Sequence, residues 1–193
     1  MPKTDKNTEI PASTRHVLET AKTRIRSIQL KRDVSQEEKK KRVSETALEV
    51  LRKIGTFYQT KAPAFYYFDS IQKRIFKIRD SEFKYLLNQY FEINGSTDYY
   101  KYLIEELSSY VSKHAEEVKI RTFSHYDQKN NVLYVHNNGS KIVRIAESGI
   151  AEVENGYAGI IFESKSSFEE WHLADLSEDG RGTAGKSDLI GML

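Results

Sequence analysis

The sequence predicts an α+β fold: a basic N-terminal helical pair, then a mixed domain with an aromatic hairpin, two further helices and an antiparallel meander. Three observations carry this. Apolar residues recur at helical spacing over residues 13–55 and again over 81–114. Between them, residues 56–79 read TFYQTKAPAFYYFDSIQKRIFKIR, three short aromatic and β-branched runs punctuated by Pro63 and the largely polar segment 70–73. From residue 117 the apolar period moves towards two, with turn residues between the runs.

Residues 1–12 are polar and are expected to fray. The first helix starts at Ser13 or Thr14 and carries Val17, Leu18, Ala21, Ile25 and Ile28 on one stripe. Asp33-Val34 interrupts it. Ser35-Gln36-Glu37-Glu38 reads as a capping box, hydroxyl and carboxylate each satisfying the other's backbone amide. The second helix turns Val43, Ala47, Leu48, Val50, Leu51 and Ile54 inward, and Gly55 reads as its C-cap. Lys39, Lys40, Lys41 and Arg42 fall in its first turns, where cations oppose the helix dipole. A solvated face and a phosphate-contacting edge are the two readings of that run.

The runs 56–60, 64–69 and 74–79 read as strands, the last two as a hairpin. Phe65, Tyr66, Tyr67 and Phe68 put rings on both faces, because successive side chains alternate. Core packing on both faces is the first reading. The functional alternative is a stacking platform for unpaired bases, with Lys61, Lys73, Arg74, Lys77 and Arg79 on the phosphates.

Asp80 or Ser81 opens a third helix with Phe83, Leu86, Leu87, Tyr90 and Phe91 in register, ended by Asn94-Gly95. Ser96 or Thr97 opens a fourth, running to about His114. It exposes Asp98, Glu105 and Glu106, a poor surface for reading a major groove. Val118, Ile120 and Thr122 mark a strand, followed by runs at Val132, Val143, Ile150 and Ile160. The mixed domain is expected over residues 56–165 and a flexible tail over 166–193.

Charge is unevenly spread. Residues 1–62 hold 15 Lys and Arg against 8 Asp and Glu, and the remainder 15 against 20. A basic arm on an acidic body suits a polyanion, and suits an acidic protein surface as well. Arg24, Arg26, Lys31 and Lys39–Arg42 are the candidate phosphate contacts of the arm; on the hairpin Lys73 and Arg74 are candidate phosphate contacts and Tyr66 and Phe68 candidate base-stacking rings. The chain has no cysteine, which removes disulfides and thiolate chemistry and agrees with a reducing cytoplasm. No run is long enough to span a membrane and no apolar N-terminal segment suggests a signal peptide, so a cytoplasmic protein without a membrane partner is expected.

Enzymatic signals are weak. Gly180 to Ser187 fits G-x-x-x-x-G-K-[ST], but an acidic, interrupted segment precedes it and only residues 188–193 follow. His125 and His136 fall on neighbouring expected strands with Asp127 nearby, a metal triad on paper without ligand spacing to support it. No catalytic residue, metal or cofactor is expected.

Several segments taken together resemble a known family. FYYFDSIQKRIFKI, DSEFKYLLNQYFEIN, YKYLIEEL, FSHYDQKNNVLYVHNNGSKIVRI and ENGYAGIIF occur in an order similar to the accessory region preceding the ATPase in primase-helicase-like proteins of phages, plasmids and other mobile elements. The likeness covers residues 55–163. It rests on Tyr66, Tyr67, Phe83, Leu87, Asn94, Tyr126, Asp127, Leu133, Tyr134, Asn155, Gly156 and Gly159. A complete ATPase and a primase acidic motif are missing. The resemblance therefore implies a non-catalytic DNA-binding or adaptor module of mobile-element or phage replication, single strands favoured, with a replicative helicase or ATPase as partner. The alternatives are a module docking an acidic protein and the truncated front end of a P-loop ATPase.

Overall fold

The computed structural model describes residues 10–62, 64–137 and 140–163. The chain is α+β, as its sequence predicts. Two helices, α1 (Ala12–Leu30) and α2 (Gln36–Ile54), lead into strand β1 (Gly55–Gln59). Strands β2 (Phe65–Asp69) and β3 (Arg74–Lys77) follow, then helices α3 (Ser81–Phe91) and α4 (Asp98–His114). The remainder is strand: β4 (Glu116–Glu117), β5 (Ile120–Arg121), β6 (Ser124–Asp127), β7 (Val132–His136), β8 (Lys141–Ala146), β9 (Gly149–Glu154) and β10 (Ile161–Phe162).

The stripe on α1 buries Leu18, Ala21, Ile25 and Ile28, and that on α2 buries Val43, Ala47, Val50, Leu51 and Ile54. Both join one core with Phe57, Tyr67 and Phe76 of the strands and the apolar faces of α3 and α4. The helical pair thus shares its core with the hairpin and the two later helices.

The first sheet has the order β3-β2-β1-β4. Register aligns Phe57 with Tyr67 and Tyr67 with Phe76, giving one row of rings under the helices. The opposite face carries Tyr58, Tyr66, Phe68 and Ile75, covered by Val118, Ile120 and Ile161. Both faces are therefore packed, and the aromatic strand is core.

A meander of order β6-β7-β8-β9 forms a second antiparallel sheet. Strand β10 joins it to the first. Alternation sends Ile161 to Phe68 and Ile75, while Ile160 and Phe162 pack with Val132, Tyr134 and Ile142. Asn155 holds β10 in place: its amide donates to the Phe162 carbonyl and its oxygen accepts the Phe162 amide, both at 2.9 Å.

Several local expectations are corrected. Ser35 accepts the Glu38 amide at 3.2 Å, but the Glu38 carboxylate takes Arg42 at 2.7 Å instead of returning to Ser35. Only half of the capping box forms. Gly55 is extended and begins β1; a Cβ there would overlap the Phe68 carbonyl and the Tyr67 ring, so space, not a left-handed cap, selects glycine. Helix α3 ends at Phe91 because Glu92 itself turns left-handed, at φ 57°. Asn94 serves the next turn, its Oδ1 accepting the Ser96 amide and hydroxyl at 3.0 and 2.9 Å. The expected strand at 118–122 shortens to β5, which pairs in parallel with β10, while β4 forms just before it and pairs in parallel with β1.

Candidate functional site

Helices α1 and α2 enclose a groove of about 300 Å³ lined by Arg24, Ser27, Ile28, Lys31, Arg42 and Glu45. The local reason is periodicity. Residues 24, 27 and 28 stand at i, i+3 and i+4 on one face of α1, Lys31 is its extended C-cap, and 42 and 45 stand at i and i+3 on α2. Ile28 and Val43 anchor the two helices to the core. Three cations and one carboxylate thus surround one depression.

Two of these cations have carboxylate partners that do not line the depression. Arg24 stands 3.6 Å from Glu49, and Arg42 donates to Glu38 at 2.7 Å. The Arg42 guanidinium holds Glu38 below the usual carboxylate range, while Lys53, ahead of Arg24, does the same for Glu49. All four partners are at least 43% exposed. Solvent-exposed pairs of this kind contribute little to stability, so breaking either one costs the fold little.

The remaining candidates disperse. Arg26 is bound to Glu92 at 2.6 Å, next to α3. Lys40 faces Asp98 of α4 at 3.6 Å, and Lys41 is exposed. Lys39 is a correction: it is buried, its Nζ donating to the Gln29 carbonyl at 3.3 Å, where it ties α2 to the end of α1. Lys73 pairs with Glu154 at 3.0 Å, and Arg74 with Glu82 at 3.4 Å while lying over the Phe76 ring. Phe68 is a second correction, 9% exposed beneath Ile161. Tyr66 is half-buried on the same packed face, and burial pushes its phenol up. Phe68 and Tyr66 do not form an open platform for bases.

The histidine triad does not assemble. His125 stacks on its cross-strand neighbour Tyr134, ring centroids 6.4 Å apart, and His136 stacks on Phe162 at 5.3 Å. The Asp127 carboxylate is taken by Asn130, whose side-chain amide lies 2.6 Å away, and by the amides of Lys129 and Asn130. Among the described residues no three His, Cys, Asp or Glu stand as a metal-holding group. His172 and the Gly180–Ser187 string lie outside the described residues. No described helix is long and apolar enough to cross a membrane.

Sequence reasoning missed Ser27 and Glu45, and it missed that Arg24 and Lys31 face Arg42. The i, i+3, i+4 spacing of residues 24, 27 and 28 on α1 was the available signal. Comparison of the chain with protein-family models, with curated proteins and with solved structures returned no match.

Proposed function

We propose that the chain is a non-catalytic nucleic-acid-binding adaptor that holds a phosphate backbone in the groove between α1 and α2. The observation that carries this reading is the convergence of Arg24, Lys31 and Arg42 on one depression beside Ser27. Guanidinium groups suit phosphate because their planar donors match its oxygens in pairs. With the hairpin rings packed, contact runs through the backbone and not through stacked bases, so binding is tolerant of sequence. The order of aromatic and turn segments supports a place in cytoplasmic mobile-element or phage DNA replication, with a replicative helicase or ATPase as partner.

The test is a salt series of fluorescence anisotropy with labelled single- and double-stranded DNA. Each phosphate contact contributes a slope of roughly 0.9 log unit per log salt on duplex and roughly 0.7 on single strands. Replacing Arg24, Lys31 and Arg42 together with Gln flattens that slope, whereas Lys113→Gln on α4 leaves it unchanged. Non-saturating DNA binding alongside a saturable protein ligand in pull-downs overturns the reading in favour of a groove that docks an acidic partner.

A further inference from the structure

Strand β9 is an edge. Among the described strands its one neighbour is β8, and five of its six residues are exposed, Val153 alone being half-buried. The Asn155 amide donates inward to the Ser140 carbonyl at 2.7 Å, continuing the β8–β9 ladder by one residue. Hydrogen-bonded and non-bonded pairs alternate along an antiparallel ladder. Val153, Ala151 and Gly149 therefore also point their backbone groups at β8. Ile150, Glu152 and Glu154 point theirs outward, in position to accept another strand.

The side chains of those three residues lie on the face of the meander turned away from Val153. On that face register aligns Tyr126 with Leu133, Leu133 with Ile145, and Ile145 with Ile150. This apolar row runs across all four strands and ends at the open edge, where Ile150 is 46% exposed and Tyr126, at the other end, 54%. Glu152 and Glu154 follow Ile150 along the strand, 3.0 Å from Lys141 and Lys73 respectively.

Edges are commonly guarded by proline, a bulge or charge. Here β9 has neither proline nor a break in register, and its guard is the two carboxylates. The one antiparallel self-pairing that uses all three outward residues sets Glu152 against Glu152 of a second copy, and like charges directly opposite are destabilising. Lys141 and Lys73 pair with those carboxylates, and because such solvent-accessible pairs are weak, cations of an added strand can share or take over the two carboxylates.

We propose that β9 is a docking edge that accepts, antiparallel, an extended segment of another protein carrying Lys or Arg opposite Glu154 and Glu152 and an apolar residue opposite Ile150. Backbone pairing supplies the attachment and the alternate side chains the selectivity, as in strand addition generally. The surface is distinct from the α1–α2 groove and does not depend on nucleic-acid binding.

The experiment uses the full chain and a fluorescein-labelled peptide containing Lys-Thr-Lys-Thr-Val, with a Glu-Thr-Glu-Thr-Val peptide as its counterpart. Saturable anisotropy is expected for the lysine peptide, and about tenfold weaker binding for the glutamate peptide. Glu152→Pro removes an outward amide that β8 does not use, so circular dichroism is unchanged and lysine-peptide binding is lost. The double variant Glu152→Lys, Glu154→Lys reverses the preference between the peptides, which decides the matter if the proline variant does not fold. No saturable binding of the lysine peptide overturns the proposal. So does a folded Glu152→Pro variant that binds like the parent, or a charge exchange that leaves the preference unreversed.

Discussion

The Tyr90 hydroxyl donates to Oδ2 of Asp69 at 2.6 Å inside the core, joining α3 to the end of β2. Oδ1 of the same carboxylate accepts the amides of Ile71 and Gln72, at 2.7 and 3.0 Å, and so shapes the turn into β3. Asp69 is fully buried and Tyr90 nearly so. Hairpin geometry and helix position are therefore fixed by one side chain.

Removing the hydroxyl leaves a buried carboxylate short of a donor. Tyr90→Phe is expected to cost about 1–3 kcal/mol in urea unfolding, with the fold retained. Burial raises the Asp69 carboxyl above its ordinary 3.8, ahead of the lowering by Tyr90 and the two turn amides. The folded state then binds the proton more readily than the unfolded chain. This group's contribution is greatest below pH 3.8 and is lost as pH rises through the folded value. Asp69→Asn removes that part of the pH dependence, which unfolding curves across the acid range would reveal.

Asn155 replaces a ladder partner for β10 by bonding both polar groups of the Phe162 backbone. Asn155→Ala leaves a buried amide and carbonyl without those bonds, and is expected to destabilise by about 2–6 kcal/mol, summing two unsatisfied groups. Because β10 alone carries both Ile161 and Phe162 into different clusters, loosening is expected there first. Hydrogen exchange at the Phe162 amide should accelerate before exchange at Leu51 or Leu103 changes.

Helix stripes were legible because burial selects residues at the helical period, and Leu18, Ala21, Ile25 and Ile28 could face only one way. The hairpin and meander were legible from alternation bounded by turn residues. Pairing between distant segments was not. Two-residue strands such as β4 and β5 carry too few side chains to show a period, and their parallel partners lie far along the chain. Gly55 shows the same limit: a helix end followed by glycine suggests a left-handed cap, and only tertiary packing against Tyr67 gives the other reason for it. For the candidate site, the run of cations was visible but its counter-ions were not. Glu92 meets Arg26 from 66 positions away, and Lys39 is buried by the end of the neighbouring helix.

The last prediction concerns the four consecutive rings. Tyr67 is fully buried, contacts Phe57 and Phe83 with centroids 5.1 and 5.8 Å apart, and donates to the Leu51 carbonyl at 3.2 Å. Phe68 is buried on the other face with Ile75 and Ile161. Truncating a buried ring costs roughly 3–5 kcal/mol, a large share of the stability of a domain. Tyr67→Ala is expected to lie at the upper end of that range, since it also leaves the Leu51 carbonyl without its donor. Phe68→Ala is expected at the lower end. Phe65 and Tyr66 are half-buried, so their Ala variants should remain folded and melt a few degrees lower, in keeping with a loss of about 1–2 kcal/mol. DNA affinity is expected to stay unchanged in both if, as proposed, phosphate contact runs through α1 and α2. A folded Tyr66→Ala variant whose single-strand affinity falls by roughly 1–3 kcal/mol would return the hairpin to the binding surface. Thermal melts and anisotropy on the same four preparations distinguish the outcomes.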